Sequence, residues 1–173
     1  MHLMICSVTA LSKMLQQLAS DFKGKKGLSE FRLERTSDSN IPEKLYDSTT
    51  QHAFVGWLRS LPDLITLRIR GIADKNFYCG VIYEGLAALG PRLISLELDI
   101  YVFDDQSTET YVNLLSSQMR LEELNILVRC KKPSHWKKII NSIGKLSRLK
   151  KFNWTNLSFS LFERADFLRI LSE

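Results

Sequence analysis

The sequence predicts an α/β solenoid, with parallel strands along one side of the chain's path and helices along the other. Three observations carry this. A short apolar pattern of the form L-x-x-L-x-L returns six times. Its interval settles to 29, 28 and 28 residues over the last four copies. Between copies, apolar residues fall at helical spacing. A regular interval of this size marks one structural unit stacked many times.

The copies read Leu3-Cys6-Val8, Leu28-Phe31-Leu33, Leu64-Leu67-Ile69, Leu93-Leu96-Leu98, Leu121-Leu124-Ile126 and Leu149-Phe152-Trp154. In each, the last two apolar residues are two apart, which puts both on the same face of a strand. The residue between them, as in Arg32, Arg68, Glu97, Asn125 and Asn153, faces the other way and is polar. A parallel strand covered on both faces reads instead as a nearly continuous apolar run. No glycine-rich G-x-G-x-x-G turn follows any of these strands either. A doubly wound sheet is therefore disfavoured, and a one-sided, curved sheet is expected.

Helices are expected around Leu11, Met14, Leu15, Leu18, Ala19 and Phe22, then around Phe54, Trp57, Leu58 and Leu61. Further ones are expected around Tyr78, Val81, Ile82, Leu86 and Leu89, and around Trp136, Ile139, Ile140 and Ile143. Strands joined through such helices run parallel. The second interval is longer, at 36 residues, and its excess falls in the polar stretch from Glu34 to Gln51. That stretch reads as a rim loop. A closing helix at about 159–172 is apolar on more than one face, with Phe159, Leu161, Phe162, Phe167, Leu168 and Ile170. Either it covers the end of the array or it awaits a further unit, so the chain is expected to be part of a longer protein or a shortened relative of one.

The L-x-x-L-x-L segments resemble leucine-rich repeats, and the unit length and helical backs are similar to the ribonuclease-inhibitor-like subtype. The resemblance runs from Leu3 to about Trp154. It implies a right-handed horseshoe, strands concave and helices convex, with residues 1–173 forming a single domain of about six repeats. The chain departs from the family where an Asn or Cys should satisfy the turning backbone after each strand. Those positions hold Leu11, Thr36, Ile72, Tyr101, Arg129 and Leu157. By resemblance, such arrays serve as repeat regions of NOD-like receptors and F-box proteins. This sequence carries neither a P-loop nor an F-box that would assign either role.

Composition agrees with one globular domain: 173 residues, 45% of them hydrophobic. Cys6, Cys79 and Cys130 form no C-x-x-C or disulfide framework. No basic leader or membrane-length apolar run occurs, so a soluble, cytoplasmic protein without a transmembrane segment is expected. The sequons Asn153-Trp154-Thr155 and Asn156-Leu157-Ser158 then read as chance matches.

Catalysis is not expected. His2, His52 and His135 stand at no metal-ligand spacing, and His135, near a helix start, reads as a solvated residue. No G-x-S-x-G occurs. The acidic pairs Asp104-Asp105 and Glu122-Glu123 are adjacent, and on a strand the second would point to opposite faces. No metal and no cofactor is expected.

Charge points to binding instead. The net charge is +5, and between Arg120 and Lys151 ten Lys or Arg stand against two Glu. Arg129, Lys131, Lys132, Lys137 and Lys138 follow a strand, whereas Lys145, Arg148, Lys150 and Lys151 precede the next. They are therefore expected on opposite rims. The expected concave face carries Glu30, Arg32, Glu34, Arg68, Arg70, Glu97, Asp99, Glu123, Asn125, Lys151 and Asn153, with Arg68 and Arg70 beside Glu97 and Asp99. A polyanion needs a continuous positive track with aromatics to stack on, and this face is mixed in sign. It suits a protein partner, whose charges set register and specificity. The expected function is non-catalytic protein–protein recognition on the concave face or rim loops. The alternative is binding of nucleic acid or another anionic surface through the basic segment 120–151.

Overall fold

Strand and helix alternate along the chain. The computed structural model describes residues 2–5, 17, 20–21, 27–35, 48–70, 80–102, 104–130 and 132–156. The order is β1 (His2–Ile5), β2 (Glu30–Arg35), α1 (Ser48–Arg59), β3 (Thr66–Arg70), α2 (Gly80–Ala87), β4 (Ser95–Val102), α3 (Asp105–Ser117), β5 (Glu123–Cys130), α4 (Pro133–Gly144) and β6 (Lys151–Asn156). The strands form one sheet in chain order, β1 to β6, and every neighbouring pair is parallel.

Register reproduces the sequence pattern. Phe31, Leu67, Leu96, Leu124 and Phe152 stand opposite one another across β2 to β6, as do Leu33, Ile69, Leu98, Ile126 and Trp154. The backbone repeats with them. The Ser29 carbonyl accepts from the Ile65 and Thr66 N–H groups, and the Ile65 carbonyl from those of Ile94 and Ser95. The Ile94 carbonyl accepts from Glu122 and Glu123, and the Glu122 carbonyl from Lys150 and Lys151. Equivalent residues of successive units thus use one carbonyl to start the next strand, which fixes the stacking step.

Among the described residues, one sheet face is covered by the helices and the other is open. The covered face buries Leu64, Leu67, Ile69, Leu93, Leu96, Leu98, Leu121, Leu124 and Ile126. The helices bring in Phe54, Trp57 and Leu58, then Ile82 and Leu86, then Tyr111, Leu114 and Leu115, and finally Trp136, Ile139 and Ile143. Phe31 and Trp57 meet edge to face with ring centroids 4.7 Å apart, and Trp136 lies 4.3 Å from Trp154. Successive helices also pack on one another. Buried Gln118 donates from Nε2 to the Leu86 carbonyl at 3.0 Å. That carbonyl, near the end of α2, also accepts from the Leu89 N–H at 3.1 Å, so the Gln118 side chain uses its second lone pair.

Several expectations need correction. Leu3, not Val8, stands opposite Leu33, while Cys6 and Val8 lie outside the described residues. Leu3/Ile5 and Cys6/Val8 both show period two, and within this sheet β1 is bonded on one side only. Alternation alone does not choose between the two registers. The turns expected at Tyr101 and Arg129 are strand: β4 and β5 run on, and these two residues face each other in the ladder. Their backbone groups are thus served by the sheet and need no asparagine. The stretch expected as loop to Gln51 is already helix from Ser48, and residues 36–47 lie outside the described residues. Of the expected first helix, residues 17, 20 and 21 are described and helical. The closing helix at 159–172 lies outside the described residues. No helix among the described residues is long and apolar enough to cross a membrane.

Helix α3 was not among the helices expected individually from apolar spacing. It opens on a capping box: the Ser107 N–H donates to Asp104 Oδ1 at 2.8 Å, and the Asp104 N–H donates to Ser107 Oγ at 3.1 Å. The bonds from Ser107 hold the Asp104 carboxyl below its ordinary value of 3.8. Asp104→Ala is expected to cost about 1 kcal/mol of stability by urea denaturation. Because the folded-state value is lowered, the charge-dependent part of this difference is present above the ordinary carboxyl value. It is lost as pH falls through the lowered one.

Candidate functional site

The open face follows from alternation. Residues between the buried positions point away from the helices, and the parallel register lines them up across strands. One row runs Arg32, Arg68, Glu97, Asn125, Asn153, and the row beside it Glu30, Thr66, Ser95, Glu123, Lys151. Glu34 stands opposite Arg70, and Asp99 opposite Leu127. The residues expected on the concave face therefore share this one face, together with Thr66 and Ser95, which the same alternation along the sequence places there.

Its charges are paired, across strands in every case but Arg32–Glu34, which both lie on β2. The Glu97 side chain, only 11% exposed, receives both arginines: Arg70 through Nε, and Arg68 with its Nε 3.9 Å away. Asp99, expected to share them, instead accepts at its backbone carbonyl from the Tyr83 hydroxyl at 3.1 Å. Arg68 Nε also lies 3.7 Å from Glu30, and Arg32 Nε 3.7 Å from Glu34. Two strands along, Lys151 Nζ donates to Glu123 at 2.6 Å, and Ser95 Oγ to the same carboxylate at 3.3 Å. The lysine bond is the main cause of the lowered Glu123 carboxyl, and Glu123 in turn raises the Lys151 ammonium. Solvent screens so exposed a pair; its effect is to hold both side chains in place. Between these clusters lies a depression of about 240 Å³ that also admits Asn125 and Asn153.

The basic segment does not gather into one patch. Lys132 stands at the N-cap position of α4 without a side-chain cap bond, and Lys137 and Lys138 lie exposed along that helix, at the end where the strands finish. Lys145, Arg148 and Lys150 lie where the strands begin. Arg129 is in β5, and Lys131 lies outside the described residues. Lys138 Nζ is 2.6 Å from Glu109 and Lys150 Nζ 2.9 Å from Glu122. Glu109 raises the Lys138 ammonium above its usual range.

No group of three or more His, Cys, Asp or Glu among the described residues could hold a metal. His135 is a correction: it is buried, 1% exposed, with Nε2 3.0 Å from Asp105 Oδ1. The helix starts at Pro133, which turns its third residue inward beside Trp136. The pair Asp104-Asp105 thus divides into a helix cap and a histidine partner. Glu122 and Glu123 likewise serve different lysines.

No family model matches the chain, and no curated protein does. Among solved structures, it is similar to a chain described as leiomodin-1 actin-binding site 2. The TM-score is 0.57, with 16% sequence identity, over 92% of this chain and 86% of that one. At this identity the likeness concerns the fold.

Proposed function

We propose that the chain is a divergent leucine-rich-repeat protein of the ribonuclease-inhibitor-like subtype that recognises a protein partner, without catalysis, through the open face of its sheet. In this reading the open face is the concave side of a horseshoe. The observation that supports it is the polar face itself: rows of side chains in register on five strands, mixed in sign and held by cross-strand pairs. Charges held in place select a partner of complementary pattern and set its register. The basic segment supports an anionic surface less well, because its cations divide between two ends of the strands and Lys138 and Lys150 already have carboxylate partners.

Asn153 suits a test, being exposed and making no side-chain hydrogen bond to a described residue. Arg68 and Arg70 do not, since reversing them would crowd Glu97 with further carboxylates. Affinity purification with mass spectrometry is expected to recover a protein with the wild-type chain and with Asn141→Arg on α4, but not with Asn153→Arg. Filamentous actin is the first single partner to try by co-sedimentation, because the leiomodin-1 chain is described as an actin-binding site. Equal recovery by both variants would place binding off the open face. Retention of nucleic acid that falls steeply with salt, unaffected by Asn153→Arg, would favour the basic segment 120–151.

A further inference from the structure

We infer that the depression on the open face receives an acidic side chain, Asp or Glu, from an extended segment of the protein partner; this rests on the reading of the open face as a recognition surface. Three observations carry it. The first is charge. The lining contains Arg68, Arg70 and Lys151 against Glu97 and Glu123, one positive charge in surplus. The second is donor capacity. Both carboxylates are already engaged, Glu97 by two guanidiniums and Glu123 by Lys151 and Ser95. A guanidinium has five N–H donors, and the ion pairs of Arg68 and Arg70 run through Nε. The outer forks make no hydrogen bond to a described residue and remain for a ligand, and Arg70 is 52% exposed.

The third observation is a pair of carboxamides. Asn125 and Asn153 are register partners on neighbouring strands and both line the depression. Neither makes a side-chain hydrogen bond to a described residue. Each amide group can donate or accept, so the excess of donors comes from the guanidiniums and Lys151, with the amides free to turn their NH2 groups toward a carboxylate. The site therefore has more donors than acceptors and a positive surplus, which matches a carboxylate and opposes a lysine or arginine side chain. The rows end within the depression at Lys151 and Asn153 on β6 and run on past it to Arg32 and Glu30 on β2, so an extended partner segment can lie along them from the depression.

The test uses the full chain, labelled with 15N, and blocked peptides of sequence acetyl-Gly-Glu-Gly-Glu-Gly-amide and its Gln and Lys counterparts. The Glu peptide is expected to shift the side-chain amide signals of Asn125 and Asn153 and the Arg70 Nε signal, and the Gln and Lys peptides to leave them in place. Losing one charge-assisted hydrogen bond weakens binding by about tenfold or more. Arg70→Gln and, separately, Asn153→Ala are each expected to weaken the Glu peptide by that order, and Arg59→Gln on α1 to change nothing. Asn153→Ala removes no internal bond to a described residue, so its result does not depend on the Arg70 variant folding. Preference for the Lys peptide, or Glu-peptide binding indifferent to both variants, overturns the inference. Stronger shifts from unblocked triglycine than from the Glu peptide overturn it in favour of a chain terminus. If no peptide binds while Asn153→Arg still loses its protein partner, the acidic side chain is wrong and the recognition face stands.

Discussion

Leu124→Ala is expected to lower the unfolding free energy by about 2–5 kcal/mol, and Asn125→Ala, its neighbour in sequence, to change it by less than about 0.5 kcal/mol. Leu124 points into the covered side of β5, 1% exposed, with Leu96 and Phe152 opposite it on the flanking strands. Removing its side chain loses the transfer term of a buried leucine and leaves a cavity beneath α4, which packs against β5. The strand's own hydrogen bonds hold its backbone to both neighbours, so the gap closes poorly. Asn125 points to the open face and makes no side-chain hydrogen bond to a described residue. Urea denaturation of the two variants reads the alternation directly. Similar losses for both would mean that the open face is covered by something the described residues do not include.

The strands were legible in the sequence because two constraints coincide there. Alternation places Leu67 and Ile69, or Leu124 and Ile126, on one face, and a period near 28 residues brings them opposite one another. Helices α1, α2 and α4 were legible for the same reason, since each has an apolar stripe at helical spacing. Helix α3 escaped individual notice because part of its buried face is hydroxylic. Thr108 Oγ1 donates to the Asp104 carbonyl at 2.8 Å, and Thr110 Oγ1 to the Gln106 carbonyl at 3.0 Å. Such residues look polar in sequence, yet they satisfy themselves on their own helix and can be buried. The signal that was present is the capping box, Asp104 followed three residues later by Ser107.

The membership of the open face was legible, but its pairings were not. Period two places Arg68, Arg70, Glu97 and Asp99 on one side, yet it cannot say that both guanidiniums converge on Glu97. That choice depends on side-chain reach across strands, including diagonal neighbours. His135 shows the converse failure. A lone histidine after Pro133-Ser134 reads as exposed until the helix start is known, and the start then sets which way its third residue faces.

Two glycines in adjacent helices are expected to respond to alanine with opposite signs. Gly85 lies in α2, buried against α1, and a Cβ built on it would overlap both methyl groups of Val55 and come within 2.9 Å of its Cβ. Alanine favours the helix by about 1 kcal/mol over glycine, whereas overpacking a close contact costs about 1–3 kcal/mol. Valine in a helix has one strongly preferred rotamer. With both methyls and the Cβ in the way, a single rotation does not clear the space. The helices must separate, and α1 and α2 also share the contacts that seat Trp57 and Leu86 in the core. Gly85→Ala is therefore expected to destabilise, by up to about 2 kcal/mol net of its helix propensity. Gly56, in α1, has open space where its Cβ would be, so Gly56→Ala is expected to stabilise by roughly 0.5–1 kcal/mol. The interaction can be isolated. If Val55 is the obstacle, Val55→Ala opens the space that the added methyl of Gly85→Ala needs, and the double variant is expected to be more stable than the sum of the single changes by about 1 kcal/mol. Thermal and urea denaturation of the cycle measure this coupling, and strict additivity would show that the packing of α1 on α2 is looser than the Gly85–Val55 contact requires.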